Sequence, residues 1–153
     1  MSSATTARGT PRKSIYDTSV YINAIRNRTY YEDLLPRLAH SLSTTYFCAV
    51  VAQELNAGCR TPQAHERVES FVAPFRRVGR LVTPTFSDWE ETGILLARLL
   101  RERPNLKDKL PCLVNDILIA LCGLRIGAVV YTANEDDFAL IRQYKRFRFE
   151  VVK

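Results

Sequence analysis

Apolar positions along the chain change period several times, and each change marks the boundary of an element. Residues 14–17 form a short strand ending in a polar cluster, and residues 19–26 continue as a helix, which puts a strand-to-helix junction at Asp17. Over residues 31–42 the side chains Leu34, Leu35, Leu38 and Leu42 recur at helical spacing, with Pro36 in the first turn or bending the helix. A brief strand at 44–47 leads into a helix at 49–56, stopped by Gly58. Two amphipathic helices follow at 62–77 and 87–103, separated by a strand-like stretch at 80–83; Ser87 is the expected N-cap of the second, with Glu90 three residues on, and Pro104 ends it. An apolar helix at 113–124 is released by Gly127 into the β-branched strand 128–132, and a short helix at 135–144 precedes a last strand at 147–152. Short strands alternating with helices predict an α/β fold, a mainly parallel central sheet flanked by helices on both faces.

Length and composition limit this picture to one domain. At 153 residues and 46% hydrophobic content the chain can bury a core without disulfides or structural metals, and it has no room for a second domain. Residues 1–14 hold Ser, Thr, Ala, Gly and basic side chains with almost nothing large and apolar, so they are expected to form a flexible tail ahead of a domain at 15–153. No run approaches the roughly 18 apolar residues of a membrane span, and a soluble, cytoplasmic protein is expected. Cys48, Cys59, Cys112 and Cys122 show no C-x-x-C spacing, and three of them lie in apolar surroundings that suit buried, reduced thiols. His40 and His65 stand apart from any ligand-spaced Cys or His. Net charge is +6, and 17 of the 22 basic residues are Arg, a balance compatible with a nucleic-acid partner and equally with solvated basic faces.

Acidic residues in apolar elements change the picture more. Asp17 ends the first apolar strand, Glu54 follows Ala49–Ala52 with only Gln53 between, and Asp116 is the sole acid between Leu110 and Val130. Unpaired carboxylates are costly to bury, so each needs a reason. A further group, Glu135, Asp136 and Asp137, follows the last core strand. In a parallel sheet, ligands collect beyond the carboxyl ends of the strands, where Asp17 and this loop emerge and which Glu54 and Asp116 can reach from helices. Acids gathered there repel one another until a divalent ion neutralises them, and oxygen-only ligands select Mg²⁺ or Mn²⁺. Taken singly, each has an ordinary alternative: Asp17 as an N-cap, Glu54 paired with an Arg, Asp116 capping the apolar helix.

In order and spacing these segments resemble the PIN-domain family, and within it the VapC-type toxins of type II toxin–antitoxin pairs. The resemblance runs through Ile15-Tyr16-Asp17-Thr18-Ser19, Val50-Val51-Ala52-Gln53-Glu54-Leu55 with Gly58, Asn115-Asp116-Ile117-Leu118-Ile119-Ala120, and Thr132-Ala133-Asn134 followed by Asp137-Phe138. It implies a PIN-like three-layer sandwich and a metal-dependent endoribonuclease, with Asp17 and Asp116 as ligands of Mg²⁺ or Mn²⁺, Glu54 holding a metal or its water, and Asp137 completing the acidic pocket. Ser19 and Thr132 would orient those ligands. Asn134 stands where many relatives carry an acid, which leaves the fourth carboxylate open between Asp137 and Asp136, and Cys48 stands where relatives often have Ser or Thr. The implied partners are an RNA substrate, a separately encoded antitoxin and a second copy of the chain. A PIN-fold RNA-binding module with little turnover is the alternative that Asn134 and the net charge leave open.

Overall fold

The computed structural model describes residues 12–153, so all but the last three residues of the expected tail lie outside the described residues. Its elements run in the order β1 (Lys13–Tyr16), α1 (Thr18–Arg26), α2 (Arg28–His40), β2 (Thr45–Cys48), α3 (Ala49–Ala57), α4 (Pro62–Arg77), β3 (Leu81–Val82), α5 (Phe86–Glu102), a 3₁₀ segment (Pro104–Lys109), α6 (Leu110–Ile126), β4 (Ala128–Thr132), α7 (Glu135–Arg142) and β5 (Phe149–Val151). The strands form one five-stranded sheet in the order β3-β2-β1-β4-β5, with every pairing parallel.

That order sets the position of the site. From β1 the chain winds outward through β2 to β3, then crosses back to β4 on the other side of β1 and continues to β5. Right-handed crossovers put α1 to α4 on one face and α5 to α7 on the other, the three-layer arrangement expected. The contacts agree: α1 packs on α2 and α3, α3 on α4, and α6 on α5 and α7. The strand order reverses between β1 and β4, the place in a parallel sheet beyond whose carboxyl ends ligands collect. Register fixes what lines it. Tyr16 pairs with Tyr131, and the Asp17 N–H donates to the Tyr131 carbonyl at 2.8 Å, so Asp17 and Thr132 leave the sheet side by side.

Near-continuous burial in β2 (Thr45, Phe47, Cys48) and β4 (Ala128, Val129, Val130) matches their places inside the sheet. Helix α6 is apolar almost all round because it is covered almost all round, with Leu113 and every residue from Ile117 to Gly123 buried. Gly123 lets it lie against β4: a Cβ there would stand 2.9 Å from Val130 Cγ2. Gly127, at φ 72°, supplies the left-handed residue that ends α6.

Several local readings shift. Helix α5 is capped by Thr85 and not Ser87: the Thr85 hydroxyl accepts the Asp88 N–H at 3.2 Å and the Asp88 carboxylate accepts the Thr85 N–H at 2.9 Å, a reciprocal box that Ser87 and Glu90 do not form. Asp88 also receives the Arg125 guanidinium at 3.1 Å, a tertiary partner that the local pattern does not reveal. Helix α2 begins earlier than expected, at Arg28, behind an Asn27 cap. Pro36 therefore sits in its interior, on the exposed side, where the carbonyl it leaves unbonded faces water. Helix α6 starts a turn before residue 113, and β5 is shorter than its apolar run. Only Cys48 and Cys122 are buried; Cys59 is half-buried and Cys112 exposed in the first turn of α6. Among the described residues no helix is long and apolar enough to cross a membrane.

Candidate functional site

The site begins where β1 turns into α1. Asp17 keeps an extended backbone and caps α1, its Oδ1 accepting the Thr18 N–H at 2.7 Å. Its Oδ2 accepts the Ser19 hydroxyl at 2.7 Å and, from the end of β4, the Thr132 hydroxyl at 2.8 Å. The carboxylate is 3% exposed and its orientation is set by three donors. Capping, the ordinary use foreseen for Asp17, is present but occupies a single oxygen. The two hydroxyls are themselves held: Ser19 Oγ accepts the Ala133 N–H at 3.0 Å and Thr132 Oγ1 the Asn134 N–H at 2.9 Å. Each hydroxyl has one proton and gives it to Asp17, so their 3.3 Å approach is a contact between oxygens sharing an acceptor.

Helix α3 contributes Glu54, whose Oε1 accepts the Thr18 hydroxyl at 2.7 Å. Among the described residues it pairs with no Arg. Cys48 occupies the N-cap of this helix and makes no side-chain cap bond, the contact that Ser or Thr would supply. Helix α7 contributes Asp137, buried in its first turn, while Asp136 points outward and is exposed. Asn134 caps α7 and donates its side-chain amide to Asp137 Oδ2 at 2.8 Å, so the residue standing in place of an acid orients the acid that follows it. The other oxygen, Asp137 Oδ1, is buried and forms an ion pair with Lys109.

Asp116 lies inside α6 and caps nothing. Its carboxyl is pushed up to about 8, by loss of hydration first and then by repulsion from Asp17, Asp137 and Glu54, with Lys109 offsetting part of the rise. That pattern puts Asp116 within electrostatic reach of three acids brought in by other elements. Lys109 is correspondingly held above its ordinary value, chiefly by Asp137, with Asp136 and Asp116 adding. Sequence reasoning missed two members of this cluster. Thr18, which holds Glu54, carried a weak signal as the middle residue of Asp17-Thr18-Ser19; Lys109, in the mixed run Lys107-Asp108-Lys109, carried none.

The donor set is oxygen alone, which fits a hard divalent cation and not a soft one. Among the described residues no three acidic, His or Cys side chains are drawn closely enough together to enclose an ion. The carboxylates converge on the cleft without closing, the spacing expected of like charges whose one close counter-charge is a lysine. Asp116, raised by burial and by three neighbouring acids, is a carboxylate whose charged form a bound cation would favour.

Residues 15–143 match the family model of the PIN domain, a span that includes every acid named above. The chain belongs to the PIN-domain family. No curated protein matches its sequence. Among solved structures, this PIN domain is similar to a chain of the DNA-bound VapBC complex of Salmonella typhimurium, at 25% identity and TM-score 0.65, covering 92% of this chain and 98% of that one. It is also similar to chains of VapBC2 from Rickettsia felis bound to a promoter DNA fragment, at 18% identity, TM-score 0.61 and coverages of 92% and 98%, and of VapBC-1 from nontypeable Haemophilus influenzae, at 18%, 0.58, 90% and 96%. The latter two likenesses are of fold.

Proposed function

We propose that this PIN domain is a metal-dependent endoribonuclease, the toxin of a toxin–antitoxin pair acting in the cytoplasm. The observation that carries the reading is the convergence of Asp17, Glu54, Asp116 and Asp137 at the switch between β1 and β4, with Asp116 raised to about 8 by burial first and by the other three acids next. Asp17, Asp116 and Asp137 would hold Mg²⁺ or Mn²⁺, with Glu54 on a second ion or on water. The ion, when bound, supplies acidification of a water and neutralisation of charge on the phosphoryl group under attack. The chain's own residues do the rest. Ser19 and Thr132 hold Asp17 rigid through their hydroxyl bonds, Thr18 aims Glu54, and Asn134 aims Asp137. Glu54, whose second oxygen is not taken by Thr18, accepts the proton of the attacking water. Basic side chains around the rim bind the RNA backbone.

A cognate antitoxin is supported by the likeness to a chain of the Salmonella VapBC complex at 25% identity, while RNA as substrate and a homodimeric state are part of this proposal, as the resemblance to VapC-type toxins implies. The test is cleavage of a mixed RNA pool with Mn²⁺ and with EDTA. The proposal expects metal-dependent cleavage that disappears in an Asp17→Asn, Asp116→Asn double variant with unchanged far-UV dichroism. Cleavage that survives both substitutions overturns it. Salt-dependent RNA binding without cleavage at saturating Mn²⁺ supports instead a PIN-fold RNA-binding module, the reading that Asn134 in place of an acid favours.

A further inference from the structure

Lys109 is the last residue of the 3₁₀ segment and the point from which α6 continues, with a helical backbone (φ −87°, ψ −19°) and no side-chain cap bond. Its charge is used across the fold: the Lys109 ammonium crosses to α7 and pairs with Asp137 Oδ1, the buried oxygen that Asn134 leaves without a donor. Lys109 itself stands at the mouth, its side chain 43% exposed against 11% for Asp137, and it precedes Asp116 by seven residues, two helical turns on the same side of α6. No other Lys or Arg pairs with the site's acids among the described residues.

We propose that Lys109 is an internal counter-ion that alternates between Asp137 and the RNA backbone. It holds Asp137 while the cleft lacks a divalent cation, competes with the cation for that carboxylate, and when displaced swings on its exposed stem to bind a backbone phosphate beside the scissile bond. The inference rests on the metal-site reading above. Electrostatics favours the exchange in both directions: a divalent ion outbids a monovalent ammonium for a carboxylate, and a phosphate entering the mouth offers the freed ammonium a new anion. Lys109 is thus a positioning residue for substrate, and one whose effect on metal binding is opposite in sign to that of an acid ligand.

The experiment measures Mn²⁺ affinity by calorimetry on RNA-free full-length protein, and kcat and KM on RNA at saturating Mn²⁺, for wild type, Lys109→Ala, Lys109→Gln, Lys109→Arg and Asp116→Asn. Lys109→Ala is expected to bind Mn²⁺ about tenfold more tightly, a change of roughly 1.4 kcal/mol. Its KM for RNA should rise about tenfold, with the loss carried in KM and not in kcat, and a shallower dependence of KM on salt. Lys109→Gln should behave alike and serves if the alanine variant does not fold; Lys109→Arg should restore both values. Unchanged or weaker Mn²⁺ binding in the uncharged variants, or an unchanged KM, overturns the proposal. Asp116→Asn separates the two levels: if it binds Mn²⁺ as well as wild type does, the metal-site reading fails and the Lys109 proposal with it, whereas a weakened Asp116→Asn beside an unaltered Lys109→Ala defeats the Lys109 proposal alone.

Discussion

Replacing Asp116 by Asn should stabilise the metal-free protein at neutral pH while abolishing its metal response. The cleft lifts the Asp116 carboxyl from 3.8 to about 8, by desolvation and by three neighbouring carboxylates. The native state therefore binds a proton that the unfolded chain has released throughout the interval between those values. Stability is greatest below the unfolded value, falls as pH rises from about 4 to about 8 at up to roughly 1.4 kcal/mol per unit, and levels off above it. At pH 7.5 the full interval would correspond to roughly 5 kcal/mol at that rate. Asp116 is partly exposed, the cleft can relax and Lys109 can move, so a recovered stability on the order of 1–3 kcal/mol is the expected outcome. Asparagine is nearly isosteric and carries no charge to repel. The assay is urea unfolding in EDTA at several pH values from 5 to 8.5, for both proteins. The difference between the two curves isolates Asp116, since every other ionisable group is common to both proteins. The variant should be the more stable at pH 7.5, the gap should narrow steadily toward pH 5 on its way to convergence near pH 4, and added Mn²⁺ should raise the wild-type midpoint and leave the variant's in place. A variant less stable than wild type at pH 7.5, or parallel pH profiles, refutes the crowding that the site assignment depends on.

Three further outcomes follow from the same geometry. Thr18→Val removes the hydroxyl bonded to Glu54 at 2.7 Å while keeping the volume; cleavage should drop on the order of tenfold, as expected when a proton-transfer group loses its orientation, with the urea midpoint little changed. Gly123→Ala forces a Cβ to within 2.9 Å of Val130 Cγ2 in the sheet's centre, which should destabilise by about 1–3 kcal/mol in urea titrations through overpacking. Thr85→Ala should lower stability by about 1 kcal/mol, and Ser87→Ala should be close to neutral, a pairing that separates the observed cap from the one its neighbour suggested.

Some of this protein was decided by sequence alone. The alternation of short β-branched runs with amphipathic helices requires a parallel sheet with helices on both sides, because burial on two faces leaves no other use for strands such as Ala128–Thr132. Asp17, Glu54 and Asp116 were conspicuous for a related reason: a carboxylate within an apolar element is costly enough that chance does not place it there. What sequence could not decide is anything set by groups from distant elements meeting. The choice of Asp137 over Asp136 depends on the rotation of α7 about its own axis, which Asn134 and the packing of Phe138 determine. The Asp88–Arg125 pair, the Thr18–Glu54 bond and the Lys109–Asp137 pair span 28 to 37 residues of chain, and each exists because two elements are held against one sheet. Local pattern reports the energy of burying a side chain. Only the tertiary structure brings the charges together, and Coulomb energy at a few ångströms, scaled by how much water remains, then decides which carboxylate keeps its proton and which one a lysine pairs with.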